Sequence, residues 1–199
     1  MEVDPVIQSR INDFKSDLTT MSVSTMVRKH ITFGDCYVFE NGKYFDLKAE
    51  VADHFEIHPS EIVLVGSAKM GFSIAPRKRY RSFGDQSDID IAIVSPPLFE
   101  KIWQQVFDYR DNISYFWPRD DETDFKHFLF TGWIRPDKLP PTRSFSFRKE
   151  WWDFFLSLTS AGIYGPYKIT AGLYKSWYYL EKYQSICVKQ CQEDIRGLI

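Results

Sequence analysis

The stretch Ile62-Val63-Leu64-Val65-Gly66-Ser67, joined through a basic loop to Ser87-Asp88-Ile89-Asp90-Ile91-Ala92-Ile93-Val94, decides how this 199-residue chain is read. Its two apolar runs are continuous rather than alternating, as in strands covered on both faces. Residues two apart on a strand point to one side, so Asp88 and Asp90 present both carboxylates together, while Ile89 and Ile91 turn the other way. Carboxylates held side by side repel, and burial sharpens the repulsion, so the pattern asks for a cation between them. Oxygen ligands in this number suit Mg²⁺, which keeps waters and completes its shell with substrate phosphates. An isolated Asp-Ile-Asp would equally describe the start of a strand with one polar face.

The turn after the first run reads Gly66-Ser67-Ala68-Lys69-Met70-Gly71-Phe72-Ser73. Glycine lets backbone approach a phosphate closely and adopt conformations closed to other residues. Serine hydroxyls and the N–H groups of a turn opening into a helix donate to phosphate oxygens. Gly66, Ser67, Lys69, Gly71 and Ser73 are therefore the candidate nucleotide-binding residues, with Asp88 and Asp90 the candidate catalytic and metal-binding pair.

The pattern Gly66-Ser67-x-x-x-Gly71-x-Ser73, then Asp88-x-Asp90 on the next apolar strand, resembles the DNA polymerase β-type nucleotidyltransferase superfamily. The resemblance implies an α/β (α+β) nucleotidyltransferase fold, a small mixed β-sheet flanked by helices. It also implies Mg²⁺, one ion or two and replaceable by Mn²⁺, on Asp88 and Asp90. The donor it implies is an NTP, ATP foremost, with transfer of a nucleoside monophosphate to a protein, RNA, small-molecule or nucleotide acceptor. Small bacterial members act in toxin–antitoxin or phage-defence settings, and a protein partner belongs to that context. Nucleotide-transferring members carry a third carboxylate on a later strand. Here the expected late strand, Tyr167 to Tyr174, has no Asp or Glu. Glu122, Asp124, Glu150 or Asp153 then supplies that oxygen, or the site works with two acids, or it binds nucleotide without efficient turnover. The loop between the motif halves is longer than in compact members and carries Arg77, Lys78, Arg79 and Arg81, either a clamp on phosphates or a solvated surface loop.

The remainder reads as one nucleotidyltransferase domain over residues 1–199, with residues 1–45 a helical N-terminal extension packed on it. Val6, Ile7, Ile11, Phe14 and Leu18 repeat at helical spacing, and Met21 to His30 continues as a second helix. Gly34 to Gly42, with Asn41-Gly42 as a turn signal, suggests a hairpin or a strand–turn–helix link. Asp46 is placed to cap a helix through Phe55, and Pro59 and Ser60 end it. His54 and His58 lack neighbouring ligands and read as helix-end residues. After the second strand, Ser95-Pro96-Pro97 opens a helix whose stripe includes Phe99, Ile102, Trp103, Val106 and Phe107 and which ends near Asp111-Asn112. Trp103 and Phe107 are core residues on this reading. The acidic run from Asp120 opens a helix through Trp133, Phe147 to Leu158 forms another with Trp151, Phe154 and Phe155 buried, and Ser176 to Ile195 closes the chain with Tyr179, Lys182, Tyr183, Ile186 and Gln190 on one stripe.

A net charge of −2 argues against a broadly basic nucleic-acid surface. Cys36, Cys187 and Cys191, an odd number with no paired spacing, read as reduced packing thiols. With no secretory leader and no apolar run of the ~18 residues a membrane span needs, the expectation is a cytoplasmic protein without a membrane partner. Two functions compete with the enzyme: a catalytically weak nucleotide-binding or antitoxin-like module acting through a partner, and a nucleic-acid binder using the Arg77–Arg81 loop.

Overall fold

A computed structural model describes residues 4–40, 42–111 and 115–197. The two apolar runs become β1 (Ile62–Val65) and β2 (Ile89–Val94), paired antiparallel so that Val65 faces Asp90. A later strand, β4 (Ile169–Tyr174), runs parallel to β2 with Thr170 opposite Asp90. The short β3 (Trp133–Ile134) pairs antiparallel with β4, giving a mixed four-stranded sheet in the order β1-β2-β4-β3. Eight α-helices flank it among the described residues.

Both faces of the sheet are covered, which is why the runs do not alternate. On one face, Ile62, Leu64, Ile91, Ile93 and Leu173 share a core with α3 (Lys43–Phe55), α5 (Pro96–Arg110) and α7 (Ser146–Ala161). On the other, Val63, Val65, Ala92 and Val94 pack with α1 (Pro5–Thr20), α2 (Val23–Val27) and α8 (Trp177–Ile195). The two remaining helices are α4 (Gly66–Met70) and α6 (Arg119–Phe130). The second face is covered only in part. Ala92 and Val94 lie under helices, whereas Asp90 and Thr170, earlier along β2 and β4, and Gly172, level with Ala92, border a cavity.

Several elements form as their residues dictate. Asp4 Oδ1 accepts from the Val6 N–H at 2.8 Å and starts α1, which buries Ile7, Ile11, Phe14 and Leu18 but leaves Val6 exposed. Ser95 caps α5 with Pro96 and Pro97 in its first turn. His58 caps the turn Pro59–Glu61, and His54 stacks on Phe154 with centroids 3.8 Å apart, so both histidines have structural partners. Cys36 and Cys191 are buried free thiols, and Cys187 is half-buried.

Other expectations are corrected. Asp46 does not cap α3; the helix begins at Lys43 after Gly42, whose φ of 83° only glycine adopts readily, and Asp46 sits in its first turn. Asn41 and Asn112 lie outside the described residues. No strand forms between Gly34 and Glu40; the Tyr37 and Val38 N–H groups donate instead to the Lys69 and Ala68 carbonyls at 3.0 and 3.1 Å, tying this segment to α4. The second N-terminal helix shortens to α2 and continues as a π-helical turn, Arg28–Thr32. Trp103 and Phe107 are 37% and 61% exposed, because Leu98, Phe99, Ile102, Val106 and Tyr109 already fill the buried side of α5. Helix α6 stops at Phe130, and Gly132 turns the chain into β3. On α8 the buried residues are Leu180, Ser185, Val188, Cys191 and Gln192, while Tyr183 and Ile186 are exposed; packing follows the N-terminal helices rather than the aromatic stripe. No helix among the described residues is long and apolar enough to cross a membrane.

The N-terminal helices are core rather than ornament. Phe14 is fully buried and meets Phe72, two residues from the Ser67–Met70 turn, edge-on at 5.6 Å. Phe14→Ala should cost about 3–5 kcal/mol, read as a lower midpoint in urea unfolding with one cooperative transition; a change under about 1 kcal/mol would show that α1 contributes little to the core.

Candidate functional site

Gly66 follows β1 directly, with a φ of 67°. A Cβ there would lie 3.1 Å from Asp90 Oδ2, so the glycine answers both to its backbone conformation and to the carboxylate facing its α-carbon. The two halves of the sequence motif are thus one contact. Asp90 Oδ1 accepts a hydrogen bond from Thr170 Oγ1 at 2.8 Å, across the β2–β4 pair. No other side chain and no basic group pairs with Asp90 among the described residues. Burial pushes its carboxyl above the usual range; the Thr170 bond opposes this, and the neighbouring Asp88 charge adds to it. Asp88, one residue before β2, is exposed.

Asp90 opens onto a cavity of about 960 Å³ between the sheet, the loop of residues 73–87 and α8. Gly66, Ser67 and Ser73 line it on one side. The basic loop is ordered against it. Ser73 N–H donates to the Arg81 carbonyl at 2.9 Å and Tyr80 N–H to the Ser73 carbonyl at 2.7 Å, with Phe72 and Ser82 bridged antiparallel. Tyr80 holds a φ of 62°, a conformation few non-glycine residues adopt. Arg79 pairs with Asp194 of α8 and so fixes the loop, whereas Arg77, Lys78 and Arg81 line the cavity. Among the described residues no carboxylate lies within 4.0 Å of those three cations.

Two predicted ligands lie elsewhere. The Lys69 side chain is buried on the far side of α4, where Nζ donates to the Gly34 carbonyl and borders a separate cavity of about 430 Å³. Burial pushes its ammonium down to about 8. Gly71, with a φ of 89°, packs against Tyr37, and its N–H donates to the Ser67 carbonyl, so it shapes the turn without facing the cavity. The structure therefore brings together Gly66, Ser67, Ser73 and Asp90, keeps Asp88 at their edge, and sets Lys69 and Gly71 behind them.

None of the four candidate third acids lines the cavity. Glu122 is engaged by Lys126 at 2.7 Å and by Tyr115, and Asp124 by Lys138 at 2.8 Å. Asp153 pairs with Lys149, and Glu150 lies 3.9 Å from His54. Thr170 stands where β4 faces Asp90. The other carboxylate on the cavity wall, Asp137, is engaged by Arg135 through two bonds of 3.1 and 2.8 Å.

Among the described residues no group of three or more His, Cys, Asp or Glu gathers as a metal centre. The donors present still fit a hard divalent ion: Asp90 Oδ2 receives no hydrogen bond among the described residues, and a second carboxylate adjoins it. A cation that keeps its waters and borrows phosphate oxygens needs no more protein ligands than these two. The sequence reading missed Thr170, Trp133, Arg135, Tyr174 and Tyr183, all on the cavity wall. Alternation along Tyr167–Tyr174 could have singled out Thr170; a two-residue β3 leaves no periodic signal.

Comparison with protein-family models, with curated proteins and with solved structures gives no match for this chain.

Two stability measurements follow from these two buried charges. A carboxylate whose folded value is raised favours the fold when protonated and opposes it when charged, so the fold loses stability as pH rises through that value. Asp90→Asn should therefore raise Tm at pH 7, with the gain shrinking as pH falls toward 4; a lower Tm at pH 7 would contradict the burial argument. Lys69 behaves oppositely: between about 8 and its ordinary value of 10.5 the unfolded chain holds the proton that the folded chain has released. Wild type should gain stability over Lys69→Met across that window, by up to about 3 kcal/mol, and a flat difference would place the ammonium in water.

Proposed function

We propose that the protein is a Mg²⁺-dependent nucleotidyltransferase of the DNA polymerase β type, transferring a nucleoside monophosphate from an NTP, ATP foremost, to an acceptor hydroxyl or other oxygen. The observation that carries this reading is the contact of Asp90 with Gly66 at the mouth of a cavity walled by Arg77, Lys78 and Arg81. The mixed sheet, with the late strand parallel to β2 beside Asp90, supports the same reading.

Each residue then has a task. Gly66 lets the phosphate chain approach the backbone, while Ser67 and Ser73 supply hydroxyl donors. Arg77, Lys78 and Arg81 neutralise the triphosphate and the departing pyrophosphate. Asp88 and Asp90 would hold Mg²⁺, which when bound offsets phosphate charge. Thr170 orients Asp90 by donating to Oδ1, leaving Oδ2 turned to the cavity. The acceptor oxygen forms a bond to the α-phosphorus as the bond from that phosphorus to the bridging oxygen breaks, and pyrophosphate leaves with the electron pair. The proton of a hydroxyl acceptor passes to solvent or to the acceptor's own surroundings, since Thr170 is no base.

A second reading, a nucleotide-binding or antitoxin-like module acting through a partner protein, is favoured by Thr170 standing opposite Asp90 and by the four alternative acids being engaged elsewhere. Incubation with α-labelled ATP and Mg²⁺, with and without cell extract, separates the two. The enzyme reading expects label transfer or pyrophosphate release, reduced at least about 100-fold in Asp90→Ala; Mg²⁺-dependent ATP binding without product in either setting leaves the module.

A further inference from the structure

We propose that the end of the main cavity formed by β3 and α8 is a stacking subsite for a nucleobase. Its ligand class rests on the nucleotide reading above; its position rests on geometry of its own. Trp133 lies parallel to Tyr174, with ring centroids 5.6 Å apart and planes 4° from parallel. Tyr183, reaching down from α8, meets Trp133 at 4.8 Å with its ring tilted by 53° and presents its own face to the cavity side. The Arg135 guanidinium carbon sits 5.5 Å from the Trp133 centroid and 4.9 Å from that of Phe128. Its two bonds to Asp137 hold the guanidinium in place.

Gly172 makes this wall possible. A Cβ at that position would lie 2.6 Å from Trp133 Nε1, so the indole rests directly on the β4 backbone. That close rest leaves Nε1 buried without a hydrogen-bond partner among the described residues. An unmade hydrogen bond of this kind is a cost. Tyr183 borders the cavity and keeps 44% of its surface exposed.

Charge divides the cavity in the same sense. Arg77, Lys78 and Arg81 stand at the Gly66 end without carboxylate partners among the described residues. At the β3 end the charge of Arg135 is matched by Asp137, leaving an aromatic surface of low net charge. In the sheet order β1-β2-β4-β3 these two ends are separated by three strand spacings, about 14 Å. A nucleotide has the same polarity: an anionic chain at one end and an uncharged planar ring at the other. A ligand made of phosphate alone would use only the basic end. Aromatic faces and guanidinium planes bind any base by stacking, with little preference among them.

The test is calorimetric titration of the full chain in Mg²⁺ with two probes, ATP and base-free inorganic tripolyphosphate. ATP should bind more tightly than tripolyphosphate. Tyr183→Ala should weaken ATP about tenfold and leave tripolyphosphate within twofold, while Tyr183→Phe keeps the wild-type affinity for both. Tyr183→Leu, apolar but not planar, should behave as Tyr183→Ala and stands in for it if the alanine variant fails to fold. If tripolyphosphate binds and neither Tyr183→Ala nor Tyr183→Leu affects ATP selectively, the stacking subsite is wrong and the nucleotide reading stands. If neither probe binds the wild type, both fall together.

Discussion

Asp90 carries a carboxylate onto the partly covered face of a sheet, where every other strand residue that shares its side is apolar, small or hydroxylic. The neighbouring side chains follow from that placement. Gly66 has no side chain because Asp90 Oδ2 occupies the space, and Thr170 supplies the donor that a half-buried oxygen requires. Among the described residues the other oxygen, Oδ2, accepts no hydrogen bond. Burial and the Asp88 charge both act against ionisation, and a cation beside Asp90 would favour its charged form.

The sheet explains how that site stays open. Two apolar faces need two layers of helices, and the chain builds one from α3, α5 and α7 and the other from its first and last helices. The second layer stops short of the Asp90 end, because α8 turns Leu180 and Val188 to the core and leaves Tyr183 and Cys187 over the gap. The basic loop closes the other side, held by the Arg79–Asp194 pair and by its own backbone bonds. The loop, with three arginines and a lysine, is thereby tied to the fold, while Arg77, Lys78 and Arg81 stay exposed along the cavity.

Much of this was legible in the residues. The continuous runs at Ile62 and Ile91 announced strands buried on both sides, and Gly66-Ser67 with Asp88-x-Asp90 marked the place where the polar groups meet. What escaped was set by tertiary packing. Lys69 looked like a phosphate ligand because it follows Ser67, yet the direction of a side chain on α4 depends on the segment around Gly34 packed behind it. Trp103 and Phe107 fit the helical period of α5, but five other residues filled the core first. The short β3 was invisible to periodicity, and with it the aromatic wall of the cavity. The late strand's lack of an acid was plain in its residues, but the bond that Thr170 donates from that strand to Asp90 was not.

The central claim is that Asp90, with Asp88, holds a divalent ion only when phosphate oxygens complete its shell. Paramagnetic broadening of backbone amide signals by substoichiometric Mn²⁺, with and without a non-hydrolysable ATP analogue, tests it most directly. The account predicts broadening centred on Gly66, Ser67, Asp90 and Thr170, strong with the analogue and weak without it. Broadening centred instead on the acidic residues Asp120 to Asp124, or indifferent to the analogue, would contradict it.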